Sequence, residues 1–270
     1  MTLPTESSEP FFLATTDPRL FAVYHPAAAP GPARAAIVLC APWGPEYVRA
    51  HRALRQLALR LARHGCGVLR FDYAGCGDSE GDDEQVGLDQ WRRDVDAAIA
   101  EARRRSGARR VFLIGLRLGA SLAWLAASRR DDIGGLVLWE PVLSGPDYLA
   151  ELADLQRQTL SRYAHRPDAA AADGTPTERL GFPISPTLAA DLAALQLNVA
   201  GRPPTKDILM VGTEPTPAWA ALAQALTTAR ARVQIERVVE PRIWTEDPDK
   251  ALVPQRTLEA IVTWLAEGIE

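Results

Sequence analysis

Residues 111–127 read VFLIGLRLGASLAWLAA. Val111 to Ile114 is a short, continuous apolar run, the pattern of a strand buried on both faces. Leu118 to Ser128 is apolar around its whole circumference, the pattern of a buried helix. Between them stands Gly115-Leu116-Arg117-Leu118-Gly119. A strand that passes into a helix through so tight a turn, with no polar face on either element, belongs near the middle of a sheet covered by helices on both sides.

Outward from this segment, short apolar runs alternate with longer helical patterns. Pro10 to Ala14 and Leu20 to Tyr24 read as two opening strands joined by a Thr-Asp-Pro turn. Ala35 to Cys40 and Gly67 to Tyr73 precede the central segment as strands, with a helical pattern over Ala50 to Arg63 between them and another over Leu88 to Arg104. Leu136 to Trp139, Ile208 to Val211 and Val233 to Val239 follow as strands, and Thr257 to Ala266 reads as the closing helix. Continuous apolar strands separated by helices predict a mostly parallel sheet. The rhythm breaks over residues 144–200. Tyr148 to Tyr163 reads as a helix and Pro167 to Thr177 as a loop. Ser185 to Leu195 is a second helix, with a serine N-cap and a proline at its first position. The expected organisation is a core of residues 1–143 and 201–270 interrupted by a small helical lid at 144–200.

The bulk properties exclude several classes. The 270 residues carry a formal net charge of -4, which gives no basic footprint for nucleic acid. The three cysteines, Cys40, Cys66 and Cys76, form no disulfide framework and suit a reducing compartment. The N-terminus lacks the basic start and apolar stretch of a signal peptide, and no run reaches the ~18 apolar residues of a membrane span. A cytoplasmic protein without a membrane span is expected. No cofactor motif is present. Asp72, Asp78 and Glu80 cluster in a Gly-rich turn but lack neighbouring His or Cys, so they read as turn and cap chemistry rather than a metal site.

The central turn resembles the G-x-S-x-G elbow of the α/β-hydrolases, in which small residues hold a nucleophilic serine above the sheet. Here Arg117 takes that serine's place. GVLRFDYAGCGDSEGD (67–82) resembles the strand and Gly-rich loop that precede the elbow in those enzymes. ILMVGTE (208–214) resembles the strand after which the catalytic acid stands, which makes Glu214 the nearest candidate. The catalytic histidine would follow Val233 to Val239, where the chain has Pro241-Arg242-Ile243-Trp244; the four histidines are His25, His51, His64 and His165. An arginine stays protonated and cannot attack a carbonyl. With nucleophile and base both missing from their places, a working Ser-His-acid triad is not expected. APWGPEYVRAHRALRQLALRLARHG, LWEPVLSGPDYL and GFPISPTLAADLAALQL narrow the resemblance to the hydrolase-like proteins associated with the bacterial exosortase A system, found near genes for surface polysaccharide and protein sorting. That resemblance implies an α/β-hydrolase fold; Pro42-Trp43-Gly44 then stands where the family builds part of its oxyanion hole.

Three roles are open for Arg117. It sits at a helix N-terminus, where the partial positive charge of the helix disfavours a cation, so an anion is expected nearby. That anion is internal, with Glu140 at the end of the next strand as the expected partner, or it is a bound carboxylate or phosphate. In the second case Trp43, Tyr47, Tyr73 and Trp244 are expected on the same rim, with Trp43 and Trp244 as walls. The third role is unorthodox catalysis, either by Arg117 with a carboxylate or by Cys76 or Cys40 as a thiolate. Ser79 and Ser121 read as a cap and a packing residue. The expected function is a non-hydrolytic protein binding a small anionic or acyl-bearing molecule, or a protein partner. An esterase, thioesterase or acyl transferase with displaced catalytic groups is the alternative, and a pure interaction protein with a closed pocket is a third.

Overall fold

The computed structural model describes residues 8–28, 31–82, 85–161, 178–245 and 252–269. Its main sheet has eight strands in the order β1 (Glu9–Phe12), β2 (Phe21–His25), β4 (Gly67–Phe71), β3 (Ala36–Cys40), β5 (Val111–Leu116), β6 (Ile133–Trp139), β9 (Asp207–Gly212) and β10 (Arg232–Arg237). β1, β2 and β4 pair antiparallel; from β4 to β10 every pairing is parallel. The mostly parallel sheet is the one expected from the alternation of apolar runs, and the whole is the α/β-hydrolase architecture that the resemblance implies.

The sheet is covered on both faces because its central strands have no polar side: β3 and β5 are buried throughout. On one face Ile37, Leu39, Phe112 and Ile114 pack against α1 (Pro45–Arg63) and α7 (Gln255–Ile269). On the other face Val38, Leu113 and Leu138 pack against α2 (Leu88–Ser106), α3 (Leu118–Ala127) and α6 (Pro217–Thr228). Between β6 and β9 the chain forms α4 (Gly145–Leu160), the short hairpin β7 (Glu178–Arg179) with β8 (Phe182–Pro183), and α5 (Pro186–Ala194). Helices α4 and α5 start with serine caps: Ser144 accepts from the Asp147 N–H and Ser185 from the Leu188 N–H. The expected loop at Pro167 to Thr177 lies outside the described residues, as does the end of the helix expected to reach Tyr163.

Two elements differ from the sequence expectation. Helix α1 begins at Pro45 rather than Ala50. The Pro-Trp-Gly-Pro stretch looks like loop, but Gly44 takes φ 61° as N-cap and Pro45 has the fixed φ of a first helical residue. Helix α6 was not anticipated. Its start signal was nevertheless present, since Thr216 caps it by accepting from the Trp219 N–H, with Pro217 following.

Candidate functional site at the elbow

The chain reverses from β5 into α3 at Arg117, with φ 55° and ψ -123°. That backbone region costs an L-residue roughly 1–3 kcal/mol and persists where the surroundings impose it. The glycines on either side show how tight the turn is. A Cβ on Gly119 would lie 2.2 Å from the Cys40 carbonyl oxygen, and one on Gly115 would lie 2.3 Å from Ala120 Cα. Arg117 therefore stands at the apex of the tight strand-to-helix turn.

Its partners differ from the expected one. Arg117 Nε donates to Glu46 Oε1 at 2.9 Å, and Nη2 donates to Glu151 Oε2 at 2.5 Å. Glu46 is itself buried, and its second oxygen accepts from the Tyr148 hydroxyl at 2.9 Å. The guanidinium lies 5.5 Å from the Tyr148 ring and 5.4 Å from the Trp244 ring, close enough for cation–π attraction. Burial opposes the charge on Arg117, but the carboxylates of Glu46 and Glu151 outweigh it and hold the guanidinium protonated more firmly than usual. The expected Arg117–Glu140 pair is absent. Glu140 ends β6 with φ 47° and turns the other way, accepting from the Thr213 N–H at 2.7 Å. Glu46 was missed because it lies 71 residues upstream; only the packing of α1's first turn against the elbow brings the two together.

The other expected site residues fall into two groups. Arg117, Glu140, Glu214 and Trp244 line one cavity of about 250 Å³, together with Asp147, Glu151, Trp219 and Arg242. At its rim Arg242 Nη2 lies 3.5 Å from Glu214 Oε2, a loose, exposed ion pair. Trp43 and Tyr73 are not walls of this cavity. They line a second one of about 260 Å³ with Tyr47, Asp72, Cys76 and Phe182. The separation follows from strand order: Trp43 and Tyr73 follow β3 and β4 on one side of the elbow, whereas Glu140, Glu214 and Trp244 follow β6, β9 and β10 on the other.

The cysteine reading loses its geometry in the same way. Cys76 borders the second cavity, away from the lining residues around Arg117. Cys40 is fully buried, and burial pushes its thiol up to about 12, which leaves it protonated at neutral pH. Ser121 donates to the Val142 carbonyl at 2.6 Å and Ser79 to the Asp72 carbonyl at 2.7 Å, as expected for packing and turn residues. Asp72 accepts from the Tyr47 hydroxyl and the Asp78 N–H, and Glu80 pairs with Arg19, so the acidic cluster is turn chemistry. No group of His, Cys, Asp or Glu suited to a metal occurs among the described residues. His25, His51 and His64 are absent from the lining of the Arg117 cavity; burial lowers His25 to about 4, so it is neutral within its strand.

A family model described as serine aminopeptidase, S33, matches residues 31–179, just over half of the chain. Comparison with curated protein sequences gives no match. Among solved structures, Est1E from Butyrivibrio proteoclasticus, determined with ferulic acid bound, superposes with a TM-score of 0.64 at 17% identity, covering 96% of this chain and 99% of that one. An esterase from Pyrococcus furiosus gives 0.65 at 15% identity, covering 97% and 91%. A thermostable carboxyl esterase from Bacillus coagulans, solved with glycerol, gives 0.63 at 13% identity, covering 98% and 100%. At these identities the three structures speak for the fold alone. The sheet order, the strand–turn–helix at Arg117 and the family match together place this chain in the serine aminopeptidase (S33) family of α/β-hydrolases.

Proposed function

We propose that this chain is a non-hydrolytic member of its family, which binds a small molecule in the cavity beside Arg117 instead of cleaving one. The observation that carries this is the elbow residue. Arg117 is buried, protonated, and held by Glu46 from within and Glu151 from α4. It has no lone pair to offer a carbonyl, and the segment Pro241 to Trp244, where the resemblance puts the general base, holds no histidine. Helix α4 acts as part of the lid, since it supplies both Tyr148 and Glu151 to the elbow.

The charge around the cavity favours a cationic ligand over the anion expected from sequence. Glu140, Asp147, Glu151 and Glu214 face only Arg117 and Arg242, and Glu46 already neutralises Arg117. An ammonium or guanidinium head beside Glu140, with Trp219 and Trp244 flanking it, satisfies both the field and the aromatic walls. One observation favours an anion as the second reading. The Glu151 side chain is 44% exposed, so a ligand carboxylate or phosphate could take its place on Arg117. The resemblance to the exosortase A system-associated proteins, and a low, odd count of three cysteines, support a place in the cytoplasm of a bacterium that exports surface polysaccharide or protein.

The test is an assay of purified protein with short- and medium-chain aryl esters and acyl thioesters, run beside Arg117→Ala. No turnover is expected from either protein. Saturable turnover by the unaltered chain would overturn the proposal, and its loss in Arg117→Ala would make the arginine an electrostatic catalyst. Thermal-shift panels of amines and of carboxylates and phosphates then separate the two ligand readings. An amine that stabilises the native chain but not Glu140→Gln supports the first; an anion whose effect grows in Glu151→Gln supports the second.

A further inference from the structure

β10 is the last strand of the sheet and pairs only with β9. The Arg232 N–H donates to the Lys206 carbonyl and the Val238 N–H to the Gly212 carbonyl. In a parallel ladder the even-numbered residues of β10 therefore bond inward, and Val233, Ile235 and Arg237 present their backbone groups outward. This edge is not blunted by a bulge, by proline or by shortness, the usual protections of an open edge. Ile235 is 43% exposed and Val239, just beyond the strand, is 68% exposed; among the described residues only Phe12 and Val48 are comparably exposed large apolar side chains.

We propose that β10 is a self-pairing edge, through which a second copy of this chain adds antiparallel about a twofold axis at Gln234 to make one continuous sheet. The sequence Arg232-Val233-Gln234-Ile235-Glu236 is complementary to itself in that register. Val233 stands opposite Ile235 of the second copy, and both present outward backbone groups, so the two residues exchange N–H···O bonds as a hydrogen-bonded pair. On one face Arg232, whose guanidinium also pairs with Asp207 of β9, stands opposite Glu236 at both ends, with Gln234 against Gln234 between them. On the other face Val233 meets Ile235 twice. Cross-strand pairs of opposite charge and of β-branched residues are both favourable. Centring the pair on Val233 instead sets Arg232 against Gln234, and centring it on Ile235 sets Gln234 against Glu236. Within β10 neither alternative pairs opposite charges, so the charges on this strand favour one register rather than forbid pairing. A twofold interface of this kind is isologous and closes at the dimer. A pair of six-residue strands falls short of the ~1,200 Å² of a stable interface, so the dimer is reversible and its share rises with concentration.

The test is sedimentation velocity on the whole chain across a concentration series from about 1 to 200 μM, with three kinds of variant. The unaltered chain should shift from monomer toward dimer over that range. Ile235→Pro removes an outward N–H and no bond to β9, and should hold the chain as monomer with its circular dichroism unchanged. Glu236→Arg should be monomeric alone and should dimerise when mixed with Arg232→Glu, because each then meets its opposite charge on both sides of the axis; Arg232→Glu also loses the pair with Asp207, so its circular dichroism must match that of the unaltered chain. Gln234→Cys should form an oxidised covalent dimer, since residues directly opposite in a non-hydrogen-bonded pair lie about 4.5 Å apart at Cα, within disulfide reach. Arg232→Cys is the control and should not cross-link above the level of the native cysteines. Monomer at every concentration, or cross-linking through Arg232→Cys equal to that through Gln234→Cys, would overturn the proposal. Neither outcome touches the ligand cavity, so this result stands apart from the ester assay.

Discussion

Two strand-to-helix turns in this molecule have nearly the same backbone. β3 enters α1 through Gly44 at φ 61°, ψ -131°, and β5 enters α3 through Arg117 at φ 55°, ψ -123°. At the first turn the residue is glycine, to which this region is open at no steric cost. At the second it is an arginine, which has a Cβ to strain and a charge to bury at the wrong end of a helix. The first turn resolves the second. It places Glu46 in the first turn of α1, where a carboxylate suits the helix, and aims it at Arg117. One turn is permitted by its own residue, the other only by its surroundings.

The sharpest way to break this comparison is to remove the carboxylate. Glu46→Gln should cost up to about 3–5 kcal/mol in equilibrium denaturation, because it leaves the buried guanidinium with only the half-exposed Glu151 as its counter-charge. Replacing both partners by methionine should cost less than Glu46→Gln alone, since no buried charge is left over; equal costs would mean that Arg117 finds another anion. Gly44→Ala tests the first turn. It should cost roughly 1–3 kcal/mol from the positive-φ backbone alone, and the added Cβ would meet Phe182 Cγ at 3.4 Å, an ordinary contact. A cost near zero would show that the turn relaxes freely and that the likeness of the two turns is coincidental. The smallest effect belongs to Glu151→Gln. Its side chain is 44% exposed, and a half-solvated partner should contribute under about 1 kcal/mol. A larger loss would mean that α4 depends on this ion pair for docking.

The lining of the two cavities shows where the sequence can be read and where it cannot. Arg117, Glu140, Glu214 and Trp244 were legible as neighbours because each follows a strand of the parallel sheet, and parallel strands deliver their carboxyl ends to one edge. The same rule placed Trp43 and Tyr73 on that edge, and there it stopped. An edge eight strands wide has more than one hollow, and strand order alone does not say which residues share one. The partner of Arg117 was misassigned for a related reason. Glu140 is nearer in chain and on the adjacent strand, but its backbone at φ 47° turns its carboxylate onto the Thr213 N–H.

The sequence by itself determined the fold, through its buried strands and their helical spacers, and the absence of serine from the elbow and of histidine from the segment after β10. These follow from local pattern and residue identity, which are carried along the chain. Only the tertiary structure decided that Arg117 is neutralised by Glu46 and Glu151, that the aromatic residues divide between two cavities, and that the hollow beside the elbow is rich in carboxylates. Each of those depends on helices α1 and α4 meeting the elbow from distant parts of the chain. The reason is physical: a buried charge takes whichever counter-charge packing brings within about 3 Å, and packing at that precision is a property of the folded core.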